Sequence, residues 1–174
     1  MRPFVIRNIG AAVILSVALS VAGASVASGV GAGGIPSGAR PAVRDTSAAA
    51  EIAAVLAALD SAASARDVDR FFGYFVDGPS FAYVFDGRVM RSLDEVRAMH
   101  RRSWASLREA RFHTATPRVA VVAPGVATAV AAGHSERVRA DGTAQSGDYA
   151  VMLLLVKDGG RWRVLQAHES TTRH

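Results

Sequence analysis

The sequence contains no cysteine, few aromatic residues and almost no lysine. Because there is no thiol, disulfides, thiol catalysis, thiolate metal sites and a lipid-modified cysteine anchor are excluded. Aromatic residues make up 7% of the chain, and none of them interleaves with a basic run as on many nucleic-acid-binding surfaces. The formal charge of +5 includes Arg2 and Arg7 near the N-terminus. We therefore expect no nucleic-acid partner, and a length of 174 residues allows one domain with a sizeable core.

Residues 1–28 have the layout of a secretory signal peptide. Two arginines precede an apolar stretch, Ile9–Val21, and small residues suit peptidase cleavage after Ala24 or Ser28. Cleavage would release a secreted or periplasmic protein with no stable membrane association. The alternative is an uncleaved N-terminal membrane anchor, because the apolar stretch continues to Val30 and is long enough to cross a bilayer.

Residues 29–44 are rich in glycine, proline, serine and alanine and show no hydrophobic periodicity, which is typical of a flexible linker. Residues 45–174 carry periodic patterns and are expected to form the folded domain. A first helix is predicted from about residue 46 to Ala65. Its apolar stripe consists of Ile52, Val55, Leu56, Leu59 and Ala63. Glu51 and Asp60 lie off this stripe, so they are expected to be solvated.

Two further helices are predicted from their capping residues. Asp67 is the expected N-cap of a short helix, and Ser92 that of a longer helix with Asp94 and Glu95 in its first turn. The short helix carries an aromatic face that is too large to stay exposed, formed by Phe71, Phe72 and Phe75.

The strands are predicted from apolar runs between turn residues. They are Phe81–Phe85 and Arg88–Arg91 in a short hairpin, then Arg111–Val122, Val126–Arg139, and a long closing hairpin of Asp148–Val156 and Arg161–Thr172. Strict alternation in the last strand predicts that Trp162, Val164, Gln166, His168 and Ser170 face one way, and that Arg163, Leu165, Ala167, Glu169 and Thr171 face the other.

This order of elements predicts an α+β fold. A strongly curved, mixed or antiparallel sheet wraps around three helices from the N-terminal half of the domain and leaves a conical hollow between them. The opposite face of the sheet, if apolar, requires a partner chain, so we expect a homodimer formed through the sheet. The sequence leaves open which face carries His134, Glu136 and His168.

The same residues resemble the nuclear-transport-factor-2-like superfamily, in its SnoaL-like and ketosteroid-isomerase-like branch. The similar features are Arg66-Asp67 at the start of the second helix, Phe81–Val84 followed by Asp86-Gly87, Arg91-Ser92 at the start of the third helix, and the closing Gly160–Ser170 with its Trp162 and His168. The resemblance covers residues 47–172 and implies a cone-shaped α+β domain, commonly a homodimer. The closing strand is also similar to the association domain of calcium/calmodulin-dependent kinase.

The chain departs from the ketosteroid isomerases at two essential places. Aligned from Asp67, the family's aspartate base corresponds to Tyr83 and its helix-one tyrosine to Leu59. A leucine donates no hydrogen bond, and a phenol is a poor base near neutral pH. The resemblance therefore does not imply isomerase chemistry of that kind, and whether the protein is an enzyme stays open.

The resemblance places Tyr83 and Glu169 at the hollow, and His100 and Trp104 lie one helical turn apart at its mouth. The candidate catalytic residues are Tyr83, His100 and Glu169, and the candidate ligand-binding residues are Phe71, Phe75, Phe81, Tyr83, Trp104 and His168. No cofactor or metal is expected, because His100, His134 and His168 lack the spacing of a zinc site.

Three functions remain. The first is an exported domain that binds a small, largely apolar molecule in its cone. The second is a general acid/base enzyme of the isomerase, cyclase or hydratase type that uses the same pocket. The third is a non-catalytic association module. A hollow filled by its own side chains would favour the module, and Tyr83 within hydrogen-bond reach of a carboxylate would favour the enzyme.

Overall fold

The computed structural model describes residues 46–172. The predicted signal peptide with its cleavage sites (1–28) and the whole predicted linker (29–44) lie outside this range. The elements are α1 (Thr46–Ser64), α2 (Val68–Phe72), β1 (Ala82–Phe85), β2 (Arg88–Met90), α3 (Leu93–Ala105), β3 (Leu107–Thr114), β4 (Arg118–Ala123), β5 (Val126–Arg139), β6 (Ala144–Asp158) and β7 (Arg161–Thr171). The predicted fold class, a curved and open mixed sheet with three helices, is confirmed.

Helix α1 supplies one wall of the core. Its side chains at Ile52, Leu56 and Leu59 are buried, as the helical spacing predicts. By length and composition α1 would be long and apolar enough to cross a membrane. Its buried stripe belongs to the hydrophobic core of the domain, and this packing accounts for its apolar character.

The two shorter helices begin at the predicted caps. The Asp67 carboxylate accepts a hydrogen bond from the backbone N–H of Arg70 at 2.9 Å. The Ser92 hydroxyl oxygen accepts one from the backbone N–H of Glu95 at 3.4 Å. Each cap satisfies a backbone donor that has no partner inside its helix. The caps therefore fix where the aromatic face of α2 and the cavity face of α3 begin.

The sheet has seven strands in the order β2-β1-β7-β6-β5-β3, with β4 also paired to β5. Strand β1 runs parallel to β7, and the other pairs are antiparallel. The prediction of one strand over Arg111–Val122 is wrong, because β3 and β4 are separate strands along the same edge of β5. Pro117 lies between them, and its missing N–H and fixed φ interrupt a continuous ladder.

A β-bulge at Leu165 changes which residues of β7 face the helices. Leu154 of β6 lies opposite Gln166, but the next residue, Leu155, lies opposite Val164, so Leu165 is extra. Trp162, Val164 and Ala167 are all buried. The predicted strict alternation along β7 is therefore wrong, since even-numbered residues face the core before the bulge and odd-numbered residues after it.

Candidate functional site

A partly enclosed cavity of about 190 Å³ lies between the helices and the concave face of the sheet. Its walls are mainly apolar and aromatic, with contributions from Leu59, Phe71, Phe75, Phe85, Trp104 and Phe112. Polar side chains reach it from α1, α3 and five strands. The hollow predicted from the order of the elements is therefore present and is not filled by the protein's own side chains.

Rings from α2, from the segment that follows it and from α3 form a continuous aromatic wall. Phe71 contacts Phe75 at 5.6 Å between ring centroids, and it meets Trp104 edge to face at 5.5 Å. His100 packs among them, 5.3 Å from Trp104 and edge-on at 5.7 Å to the ring of Tyr83. Such edge-to-face contacts are a favoured arrangement of aromatic pairs. The wall is preorganised for a flat, apolar guest.

Tyr83 and Glu169, two of the three candidate catalytic residues, form a hydrogen-bonded pair in the cavity. The parallel pairing of β1 with β7 sets Phe85 opposite Glu169 and Tyr83 opposite Ala167, so both polar side chains reach the same cavity. The Tyr83 hydroxyl donates to Glu169 Oε2 at 2.9 Å. Burial raises the pKa of Tyr83 well above its ordinary value, and the neighbouring Glu169 carboxylate raises it further. Tyr83 is therefore a hydrogen-bond donor to Glu169 and not a phenolate base.

Burial also raises the pKa of Glu169, because the carboxylate loses solvation. The hydrogen bond from Tyr83 and the positive charge of Arg137, which also lines the cavity, act in the opposite direction. Glu169 consequently takes up a proton at a higher pH than an exposed glutamate.

His100 stands at the aromatic wall in the neutral form. Its Nδ1 lies 3.0 Å from the Val96 carbonyl oxygen, which can only accept, so the ring proton is assigned to Nδ1. Burial lowers the pKa of His100, which keeps the ring uncharged near neutral pH. Nε2 is then an acceptor. Of the three candidate catalytic residues, Tyr83 and Glu169 share a hydrogen bond, and His100 contacts Tyr83 through its ring.

A second polar group lies in the cavity, formed by Asp60, Thr114 and Tyr149. Asp60 accepts hydrogen bonds from the Thr114 backbone N–H at 2.6 Å and from the Thr114 hydroxyl at 2.7 Å. The Tyr149 hydroxyl lies 2.8 Å from Thr114 Oγ1 and 3.4 Å from Asp60 Oδ1. The prediction that Asp60 is a solvated charge is wrong, because β3 passes beside α1 and presents Thr114 to it.

Tyr149 reaches this position because Gly133, opposite it on β5, has no side chain. A β-carbon at residue 133 would lie 2.2 Å from Tyr149 Cζ and 2.5 Å from its hydroxyl oxygen. The tyrosine ring therefore lies directly over the backbone of β5. The sequence pattern alone did not identify Tyr149 as a site residue. The feature that could have identified it is the pairing of Gly133 on β5 with Tyr149 on β6. This pairing depends on the register of the two strands.

Most of the predicted site residues line the cavity. Phe71, Phe75, Tyr83, His100, Trp104 and Glu169 are among its lining residues. Phe81 is buried in the core, where it packs against Phe75, and is not one of the lining residues. The placement expected for His168 is wrong. Its side chain is exposed on the outer face, between the inward-facing Ala167 and Glu169.

The outer face of the sheet also carries His134 and Glu136. Both side chains are exposed, and His134 Nδ1 lies 2.7 Å from Asp148 Oδ1. Within residues 46–172, no group of three or more histidine, aspartate or glutamate side chains is arranged to hold a metal ion. The three histidines considered for a zinc site are thus distributed over the cavity wall and the outer face.

The sequence and the fold were compared with known proteins. No curated protein matches the sequence. A nuclear transport factor 2 (NTF2-like) superfamily protein of Salmonella enterica serovar Typhimurium has a similar structure, with a TM-score of 0.65 and 17% identity over 72% of this chain and 91% of that one. A ketosteroid isomerase-like protein of Erwinia carotovora atroseptica gives a TM-score of 0.60 and 18% identity over 70% of this chain and 94% of that one.

A Caulobacter vibrioides protein with a cystatin-like fold has 24% identity and a TM-score of 0.59, over 71% of this chain and 88% of that one. At these identities the solved structures show the fold alone. The sequence itself matches the SnoaL-like domain family over residues 52–174, which is most of the chain. The chain therefore belongs to the SnoaL-like domain family, as the resemblance of its sequence motifs implies, and it shares the fold of nuclear-transport-factor-2-like proteins.

Proposed function

We propose that this protein is an exported SnoaL-like domain that binds a small, largely apolar molecule in its cone-shaped cavity. The observation that carries the proposal is the cavity of about 190 Å³ with aromatic walls and only a few polar groups. Pockets of this composition gain affinity from buried apolar area and orientation from a few hydrogen bonds. An association module with a filled cone would leave no such space.

Export and dimerisation complete the proposal. Export is supported by the arginines and apolar stretch of residues 1–28. Dimerisation is supported by the outer face of the sheet, where Val130 and Met152 lie directly opposite each other and are 47% and 50% exposed. Apolar side chains in the middle of a sheet face are normally covered, and a second copy of this chain would cover them.

The binding proposal is tested by native mass spectrometry of the protein exported from cells that express the whole chain. We expect the wild type to carry a co-purifying molecule of low mass. Val151→Phe should abolish it, because Val151 lines the cavity and the added ring fills the space. Val156→Phe is the matched control, since Val156 lies on the same strand but outside the cavity lining. Equal ligand loading of the two variants would contradict the proposal. The intact mass also reports whether the N-terminal segment has been removed.

A second candidate function is general acid/base catalysis, and the hydrogen bond between Tyr83 and Glu169 favours it. A buried carboxylate with a raised pKa beside a phenol is an arrangement suited to moving a proton on a bound guest. Such an enzyme would exchange an acidic C–H of its guest with solvent. We expect deuterium incorporation into the co-purified molecule in D₂O with the wild type and none with Glu169→Gln. If the wild type binds the molecule but no deuterium is incorporated into it, binding alone is the function.

A further inference from the structure

The hydrogen bonds at the Tyr149 end of the cavity have a defined direction. Asp60 as a carboxylate only accepts, so the Thr114 hydroxyl at 2.7 Å must donate to it. Thr114 Oγ1 then accepts from the Tyr149 hydroxyl at 2.8 Å. The single proton of Tyr149 is used within the protein, and its phenolic oxygen keeps lone pairs that face the cavity. This end of the cavity therefore offers an acceptor to a guest.

At the Tyr83 end of the cavity the polar groups are also left as hydrogen-bond acceptors. The Tyr83 proton is committed to Glu169 Oε2, so the phenolic oxygen of Tyr83 is again left as an acceptor. Glu169 accepts from Tyr83 at Oε2, and its carboxyl group lines the cavity, where it can accept a hydrogen bond from a guest. His100 uses its Nδ1 proton on the Val96 carbonyl and leaves Nε2 without a proton. All of these groups would be satisfied by a guest that brings its own donors.

The charges that face the cavity disfavour an anionic guest. Two carboxyl groups, those of Asp60 and Glu169, line the cavity, whereas Arg137 is the one permanently charged cation among the described lining residues. The charge of Arg137 already acts on Glu169, so it is partly neutralised by the protein itself. A guest carboxylate would face the two carboxyl groups of Asp60 and Glu169 in a poorly solvated site.

The volume limits the guest to a small molecule. A cavity of about 150 Å³ lined by aliphatic and aromatic side chains is known to hold benzene. The cavity of about 190 Å³ therefore suits one substituted aromatic ring and is too small to enclose a four-ring skeleton. Phe71 and His100, which stack on each other, and Trp104, which stands edge-on to Phe71, give such a ring apolar surfaces to pack on.

From these hydrogen bonds we infer that the cavity selects an uncharged, one-ring aromatic molecule with hydroxyl or amino donors at two positions. The inference rests on the proposed function and names the chemical class of its ligand. One donor group bonds to Tyr149 Oη, and the other bonds at Tyr83 and Glu169. Ketones and ethers of the same size leave these acceptors unsatisfied, which is costly in a buried site.

The test is a titration of purified, ligand-free protein, followed by ligand-observed NMR, with five probes. Resorcinol carries two hydroxyl donors, 1,3-phenylenediamine carries two amino donors, and 1,3-dimethoxybenzene has the same ring without donors. 3-Hydroxybenzoate adds an anion, and estradiol carries two hydroxyls on four rings. We expect resorcinol or the diamine to bind at least about tenfold more tightly than the diether, the benzoate and estradiol.

Tyr149→Phe tests the assignment within the cavity, because it removes the acceptor but keeps the ring. We expect resorcinol affinity to fall severalfold towards that of the diether, whose affinity should not change. Tyr74→Phe is the matched control, since Tyr74 is a partly buried tyrosine that does not line the cavity. A fall in affinity that is equal in both variants would overturn the role of Tyr149.

The remaining outcomes separate the inference from the proposed function. Equal affinity of the diol, the diamine and the diether would overturn the inference, as would estradiol binding more tightly than the one-ring donors. The proposed function would survive either result. No binding of resorcinol or the diamine at millimolar concentration would also overturn the inference. The proposed function fails separately, if the exported wild type carries no more small-molecule mass than Val151→Phe.

Discussion

Gly133 has no side chain, and the ring of Tyr149 occupies the space above its backbone. This absence determines where the Tyr149 hydroxyl lies in the cavity. Because Tyr149 lies over it, Gly133→Ala would bring a β-carbon within 2.2 Å of the ring and displace it. We expect the free energy of unfolding to fall by about 1–3 kcal/mol, as for other overpacked sites. Urea denaturation measures this loss. In a Tyr149→Ala background the clash is absent, so the same substitution should cost less than about 0.5 kcal/mol. If Gly133→Ala lowers the free energy of unfolding equally in both backgrounds, the Tyr149 ring does not lie over residue 133.

Glu169 contributes a pH-dependent term to stability. Because burial raises its pKa, the folded protein keeps this proton to a higher pH than the unfolded chain, whose carboxyl titrates near 4.5. The folded state binds more protons in the interval between the two values, so stability falls as pH rises through it. We expect Glu169→Gln, which can still accept from Tyr83, to be more stable than the wild type at pH 7.

This advantage of Glu169→Gln should disappear as the pH falls towards 4.5. Thermal unfolding of both proteins between pH 4.5 and 7.5 measures it. Glu136→Gln is the control, because that side chain is exposed on the outer face and should leave the pH profile unchanged. A constant difference between Glu169→Gln and wild type across the whole range would contradict the assignment of the raised pKa to burial of Glu169.

At the scale of elements, the bulge in β7 allows this one strand to place side chains both in the core and in the cavity lining. Leu165 is the extra residue, and it allows Trp162 and Val164 to face the core while Ala167 and Glu169 line the cavity. A strand without the bulge would turn one of these sets to the outer face. Pairing with β1 begins immediately after the bulge, at Gln166. The bulge therefore sets the side from which Glu169 meets Tyr83.

Deletion of Leu165 should consequently lower the free energy of unfolding by about 3 kcal/mol or more, because either the core set or the cavity set must lose burial. Denaturant unfolding measures this change. Deletion of Thr116, an exposed residue between β3 and β4, is the control and should cost far less. Similar costs for the two deletions would mean that the register of β7 is not fixed by the bulge.

Prediction at this scale succeeded where the signal is local. The start of α2 at Asp67 and of α3 at Ser92 follows from capping chemistry within four residues. The turn at Asp86-Gly87 follows from two residues that both adopt positive φ. The division of Arg111–Val122 into β3 and β4 was missed, although Pro117 was visible in the sequence, because the apolar pattern continues on both sides of it.

At the scale of the whole molecule, the outer face of the sheet is expected to pair with a second copy. Met152 lies opposite both Val130 and His168, so these three residues form a row across the middle of the sheet. Met152→Glu would introduce an acidic side chain that a symmetric interface brings near its own copy. We expect a dimer for the wild type and a monomer for this variant in size-exclusion chromatography with light scattering.

Val89→Glu is the control for that experiment, because Val89 is 57% exposed but lies on β2, away from the row. It should remain dimeric. If the wild type is a monomer, or if Met152→Glu remains a dimer, the outer face of the sheet is not the dimer interface. Ligand binding would be unaffected in either case, since Met152 and Val89 do not line the cavity.

By itself the sequence determined the helices, most of the strands, the turns and the aromatic character of the cavity wall. These features depend on spacing, capping and turn chemistry between residues that are close in the chain. The family resemblance implied that Tyr83 and Glu169 each face the hollow. The pairing of β1 with β7 joins them by a hydrogen bond.

Only the tertiary structure determined which hydrogen-bonding groups face the cavity. Asp60 meets Thr114 and Tyr149 across 54 and 89 positions of the chain, and Tyr149 needs Gly133 as its neighbour on β5. His168 was expected in the cavity but lies on the outer face, because the inward set after the bulge is Ala167 and Glu169. Such contacts depend on strand register, and one extra residue in a strand exchanges its faces.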